Sequence, residues 1–371
     1  MLPSAPKTLG RLSDVFISAL GSITGKDNRL GFAKANRSIV VLVDGLGSEN
    51  LRAAAGHAPF LNARLRDSKS INTVFPSTTA SAITSFGTGA RPSQHGIFGY
   101  SVFDREAAAV RNMLTGWGSD ADPAHYQPLD SIATKARGLG VDVFSVGPAE
   151  YADSGFTKLN MLGSSYRAAK SIGDRVLEAK RIIRESKKSL TYLYVPELDS
   201  TAHAMGVAST AWLNKLEELD AAMRELASEL PADTGLILTA DHGIVDVPSE
   251  NQVMLDEMRI PGLLAVSGDP RNTFIYLDDA IEANAVAVEL TKELEGRVIV
   301  ATAAEVVAKG WFGGQPSSNI RLLPDLFLIS TSNFACYHRG WCKPQSLRMI
   351  GQHGGISASE LSVPLLKFGC Y

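Results

Sequence analysis

The sequence predicts an α/β fold, a doubly wound sheet flanked by helices, with a smaller inserted lobe. Three observations carry this reading. Short runs such as Ile39–Val43 are apolar at successive positions, as strands buried on both faces are. These runs alternate with longer, charged segments at helical spacing. Two of them end in polar-and-glycine turns, Asp44-Gly45 and Asp241-His242-Gly243.

Taken in order, Leu12 to Ile23 is amphipathic, interrupted by Asp14 and Gly21, and reads as a first helix. Arg37 to Val43 is a buried strand. Ser77 to Thr88 is rich in small residues and follows Pro76, as a helix start should. Val141 to Val146 is a second strand, Ser171 to Ser186 a charged amphipathic helix, and Leu190 to Val195 another strand. Thr210 to Leu230 has helical spacing, and Gly235 to Ala240 is a further apolar strand. Between about Asn251 and Lys343 the order blurs. Val253–Gly268, Thr273–Leu277, a helix Ile281–Glu295 and a strand Arg297–Ala301 are expected to form the inserted lobe (251–343) of one domain spanning 1–371.

The chain has 371 residues, enough for a large core, with 45% hydrophobic and 20% charged residues. A net charge of -3 argues against general nucleic-acid binding, which calls for a basic face. No apolar run reaches the length of a membrane span. The N-terminus lacks the apolar core and cleavage site of a secretory signal. With an odd number of cysteines (Cys336, Cys342, Cys370), this predicts a cytoplasmic protein with reduced thiols, although a Cys336–Cys342 bridge is conceivable. Oligomeric state is not legible.

Five segments carry chemistry: Asp44-Gly45, Thr78-Thr79, Asp199-Ser-Thr-Ala-His203, Asp241-His242-Gly243 and His353-Gly354-Gly355. In an open α/β sheet, ligands bind beyond the carboxyl ends of the strands, where Asp44, Asp199 and Asp241 fall. Singly, each motif has a plain explanation: a turn, a cap, a hydrogen-bonded histidine, an N-cap threonine. Asp199 and His203 share a helical face if their segment is helical. Together, three aspartates and three histidines offer a mixed O and N donor set that suits zinc, with manganese or iron as alternatives. Thr79 is a poor nucleophile unless activated, and a helix N-terminus with nearby cations supplies activation and amides for a phosphoryl oxygen.

In this order the segments resemble the alkaline phosphatase superfamily, and within it the nucleotide pyrophosphatase/phosphodiesterase branch. Phe-Pro-Ser-Thr-Thr is similar to the branch's nucleophile motif, ending at Thr79. Glu197-Leu-Asp199-Ser-Thr-Ala-His203-Ala-Met-Gly206 resembles its Glu-Pro-Asp-Ser-x-Gly-His-x-x-Gly segment. Asp241-His242-Gly243 and His353-Gly354 match the last ligand motifs, and Thr88 to Ile97 the stretch after the nucleophile. The resemblance runs from about Val40 to Leu366. It implies an alkaline phosphatase-like sheet and two divalent metal ions. Asp199, His203 and His353 would hold one ion; Asp44, Asp241 and His242 would hold the other, with the Thr79 oxygen. A phosphate ester or pyrophosphate would be cleaved through a phosphothreonine intermediate.

Two positions depart from the branch. Ala80 stands where an aromatic residue often follows the nucleophile, and Tyr100 where an asparagine helps bind a phosphoryl oxygen. Tyr100, with Asn112, is the candidate substrate-binding replacement; His95 is read as structural. The alternative is a phosphomonoesterase or phosphonate hydrolase of the same superfamily, and beyond that a binding homologue without catalysis. The expected partner is a small phosphate ester.

Overall fold

The computed structural model describes residues 1–8, 10–26, 28–117 and 123–371. Its centre is a six-stranded sheet in the order 366–369, 234–240, 37–43, 189–195, 142–147, 165–168. Every neighbouring pair is parallel except the edge strand Leu366–Gly369, which runs antiparallel to Thr234–Ala240. The mixed α/β sheet is the predicted one, and its central strands are buried along almost their whole length. That burial explains why they read as continuous apolar runs.

Helices cover the sheet, and local chemistry sets their ends. Ile172–Glu185 begins at a capping box in which Ser171 accepts from the Asp174 amide and Asp174 accepts from the Ser171 amide. Thr210–Ser228 begins at Ser209, which accepts from the Trp212 amide. The first helix is a single 3-10 turn, Leu12–Asp14, continuing as Val15–Thr24. The helix expected from Ser77 starts at Thr79.

Most of the 251–343 interval forms a second, antiparallel sheet in the order 263–269, 272–277, 326–330, 298–302. Period-2 alternation divides its side chains. Ile275, Leu277, Leu326 and Leu328 pack on the helix Ala283–Glu293, whose Val286 and Leu290 are buried there. Phe274, Tyr276, Phe327 and Ile329 face the other way, into a cluster with Phe75, Ala80 and Phe98 from around Thr79. The lobe is therefore packed directly behind the predicted active residue. The sequence analysis did not identify the hairpin Ser101–Asp104/Ala109–Asn112 or the helices Ile132–Gly138 and Gly155–Met161. Cys336, Cys342 and Cys370 are free thiols. Among the described residues no helix is long and apolar enough to cross a membrane.

Candidate metal centre and nucleophile

Register brings the acidic residues together. Val43 stands opposite Val195 on one side and Ala240 on the other, so three adjacent strands end level. Asp44 and Asp241 are the next residues of their strands. Pro196 then opens the helix Glu197–Met205, which carries Asp199 and His203 one turn apart on the same face. The Arg175 guanidinium, itself buried, holds the start of that helix through Glu197 at 2.8 Å. Gly45 has φ +73°, and a Cβ there would stand 2.6 Å from Ile244 and 3.1 Å from the Asp199 backbone. A glycine is what lets the chain turn so close to its neighbour.

Two trios result, Asp199/His203/His353 and Asp44/Asp241/His242, with the ligand atoms in each within 4.8 Å of one another. The His242 and His353 rings stack at 3.7 Å between centroids, so the trios adjoin. Thr79, first residue of its helix, places its hydroxyl 3.1 Å from His242 Nε2. The same nitrogen lies 3.3 Å from Asp44 Oδ1 and 3.6 Å from Asp241 Oδ2. In the other trio His203 Nε2 is 3.2 Å and His353 Nε2 3.9 Å from the Asp199 carboxylate.

The donor set fits divalent cations on two counts. Each histidine turns Nδ1 to a backbone carbonyl: His203 to Gly351 at 2.7 Å, His353 to Ser77 at 3.1 Å, His242 to Gly243 at 3.3 Å. With that nitrogen donating, Nε2 is left with its lone pair facing the carboxylates, the arrangement metal-bound histidines adopt. In addition Asp44 Oδ1, Asp199 Oδ1 and Asp241 Oδ2 are buried without a hydrogen-bond partner among the described residues. Burying such oxygens unpaired is costly, and a cation would repay it. Burial, reinforced by Asp241 and Asp199, holds the Asp44 carboxyl well above the usual carboxylate range. Asp241 is raised as well, chiefly by burial. For His203, burial pulls the imidazole down, but Asp199 beside it outweighs that, and the net shift is upward.

Several supporting residues carried no sequence signal. The Tyr194 hydroxyl donates to Asp44 Oδ2, and the Thr73 hydroxyl to the Asp241 carbonyl. Asp241 Oδ1 accepts from the amides of Gly45 at 3.2 Å and His242 at 3.0 Å. The Arg271–Glu360 pair, at 2.7 Å and fully buried, holds the loop after His353, because Glu360 also accepts from the Gly355 amide. Asp269 accepts from the Thr78 hydroxyl at 3.0 Å, and burial pushes its carboxyl up to about 7. The Tyr194–Asp44, Thr73–Asp241 and Asp269–Thr78 partners lie far apart in sequence, so no local spacing announces them.

Tyr100 is 39% exposed at the start of the hairpin; burial raises its phenol above the usual range, while Asn112 beside it pulls the other way. Asn112 Oδ1 accepts from the Leu114 and Thr115 amides, which makes it a turn residue as well. His95 lies in the core away from both trios, its ring held by Ser85 and the Ile97 amide. Beside Thr79 opens a cavity of about 540 Å³, walled by aromatic side chains including Trp117, Tyr151, Phe156, Tyr166 and Tyr194.

The family described as type I phosphodiesterase / nucleotide pyrophosphatase matches residues 38–356. Among solved structures the chain is similar to murine ectonucleotide pyrophosphatase / phosphodiesterase 5, with 17% identity and a TM-score of 0.69 over 90% of this chain and 88% of that one. An inactive threonine-to-alanine form of the murine protein in complex with AMP gives 16% identity and a TM-score of 0.67 over the same shares. No curated protein matches the chain.

Proposed function

This chain belongs to the type I phosphodiesterase / nucleotide pyrophosphatase family, and from that premise we propose that it hydrolyses a phosphate diester or pyrophosphate bond with Thr79 as nucleophile. Asp199, His203 and His353 would hold one divalent cation and Asp44, Asp241 and His242 the other, zinc suiting this O and N donor set best. The observation that carries the reading is the Thr79 hydroxyl at the head of its helix, 3.1 Å from His242 at the junction of the trios.

When bound, the cations supply the positive charge that lowers the hydroxyl pKa and stabilises the departing oxygen. Thr79 Oγ, its proton released to solvent, forms a bond to phosphorus as the ester oxygen leaves on the opposite side. The leaving oxygen takes a proton from solvent. Water then breaks the phosphothreonine bond, restoring the Thr79 hydroxyl and freeing the second phosphate product. The amide of Thr79, at the helix head, would orient a phosphoryl oxygen. Tyr100, beside Asn112, offers a further donor. The aromatic cavity beside Thr79 has the size and lining for the organic group of the ester. The AMP bound by the murine relative makes nucleotide esters the first class to test.

The test is turnover of bis(p-nitrophenyl) phosphate against p-nitrophenyl phosphate by zinc-loaded protein, with Thr79→Ala in parallel. Preference for the diester and a loss of at least about a thousandfold in Thr79→Ala are expected. Near-normal turnover by a folded, metal-loaded Thr79→Ala would end the nucleophile assignment. Ala80 stands where the branch often has an aromatic residue after the nucleophile and here lies buried in the core; that departure favours a second reading as a phosphomonoesterase or phosphonate hydrolase. Preference for the monoester would select it.

A further inference from the structure

The cavity beside Thr79 is walled by aromatic rings and carboxylates, and among the described residues by no cationic side chain. Thr79 and Ile83, one helical turn apart, line it on one side. Tyr194 joins the cavity to the metal trios: its ring lines the space while its hydroxyl donates to Asp44. The Tyr151 ring crosses it at 60° with the centroids 5.9 Å apart, so the two rings wall a corner. An organic group joined through oxygen to a phosphorus at Thr79 lies within this space.

Hydrogen-bonding capacity and charge divide unevenly within it. Three donors of the wall are turned into the protein. Trp117 Nε1 donates to the Met113 carbonyl at 2.9 Å, the Tyr166 hydroxyl to the Pro148 carbonyl at 2.7 Å, and the Tyr194 hydroxyl to Asp44. The charged residues that line the space, Glu150 and Asp153, are both acidic. Glu150 has neither an ion pair nor a hydrogen bond among the described residues. Asp153 has a contact of 3.9 Å with Lys158, in which both side chains are open to solvent. Burial raises the Tyr151 phenol, and Glu150 and Asp44 add to the rise, so this ring stands in the field of both carboxylates. Aromatic rings attract a cation, and a carboxylate beside them adds a longer-range pull.

We propose that the alcohol esterified in this cavity carries a positively charged nitrogen, an organic ammonium held by the Tyr151–Tyr194 corner and by Glu150. The inference rests on the reading of Thr79 and the trios as a phosphodiesterase site and names the substrate class of that site. An organic group bearing a further phosphate or carboxylate meets like charge at Glu150 and Asp153. A neutral nucleobase can stack on the same rings but leaves Glu150 without a counterpart.

The test uses full-length, zinc-loaded protein and p-nitrophenyl diesters that differ in the second alcohol. Choline and aminoethyl esters tell a quaternary from a primary ammonium. The neohexyl ester is the uncharged isostere of the choline ester, with carbon in place of nitrogen, and the thymidine monophosphate ester supplies a neutral base. The better of the two ammonium esters is expected to exceed the neohexyl ester in kcat/KM by about tenfold, the scale of a desolvated cation–π contact. Glu150 and Tyr151 are exposed enough to be replaced without emptying the core. Glu150→Gln and Tyr151→Leu should each cut that ratio by about threefold. Equal rates for charged and uncharged esters, a preference for the thymidine ester over both ammonium esters, or a ratio that neither substitution moves would overturn the proposal. Calorimetric affinity for phosphocholine against neohexyl phosphate reads the same preference without turnover. Silence of every ester would sink the phosphodiesterase reading, while those two affinities would still judge this one.

Discussion

His95 sits behind the helix that begins at Thr79, with Nε2 donating to the Ser85 hydroxyl and Nδ1 accepting from the Ile97 amide. Both ring nitrogens are used by neutral partners, and burial pushes the imidazole down to about 3. In the unfolded chain it titrates near 6.5. Below that pH the unfolded state takes up a proton that the folded state refuses, so stability falls as pH drops from about 6.5 towards 3, by at most about 1.4 kcal/mol per unit. His95→Asn should lose this dependence. Urea unfolding at pH 7.5 and pH 5 should give an advantage of the native residue that shrinks by about 2 kcal/mol at the lower pH. An unchanged difference would mean that His95 is not the neutral core group described. At this scale the sequence was most readable where residue type and strand end coincide. Asp44 and Asp241 follow apolar runs directly, and Asp199 and His203 are one helical turn apart. Tyr194 and Asp269 stayed hidden. Tyr194 is one more residue of an apolar strand until its hydroxyl is seen on Asp44, and Asp269 meets Thr78 across 191 positions of sequence.

The hairpin formed by Leu263–Asp269 and Asn272–Leu277 does more than complete the lobe sheet. Arg271 at its tip is fully buried, forms a two-point bond with Glu360 at 2.7 and 2.9 Å, and donates to the Phe334 carbonyl. Glu360 in turn takes the Gly355 amide and the Ser357 hydroxyl. Although burial alone would raise it, Arg271 and these donors hold its carboxyl below the usual range. Arg271→Ala would strand a buried carboxylate, at a cost of about 3–5 kcal/mol. It should also slacken the loop bearing His353, so a chemical denaturation midpoint and a bound-metal count should fall together. A destabilised variant that kept its full metal content would separate the pair from the site. The second strand of this hairpin was legible as Thr273–Leu277, while the first was read only within a longer segment, Val253–Gly268. The aim of the hairpin was not legible, because direction depends on how Phe274 and Phe327 pack against Phe75 and Phe98, and nothing local encodes that.

Across the whole molecule, three parallel strands ending level, one helix head and a C-terminal loop deliver seven side chains to one place. The sheet core can be stable with that place empty of cations, but the carboxylate oxygens left without partners make the folded state pay for the arrangement. Cations that bind only the folded chain return that cost by mass action, about 4 kcal/mol per site at a free concentration a thousand times Kd. Chelation should therefore lower the thermal unfolding midpoint by at least about 5 °C, and adding back about two equivalents of zinc should restore it. The trios share no residue, yet His242 and His353 stack, so the two sites are expected to couple rather than add. His203→Ala should then lose one ion outright and weaken the other, read by elemental analysis after dialysis against graded zinc. Two ions lost independently would show that the stacked rings transmit nothing. An unfolding midpoint indifferent to chelation, with no divalent metal in the fresh protein, would mean that the trios are not cation sites.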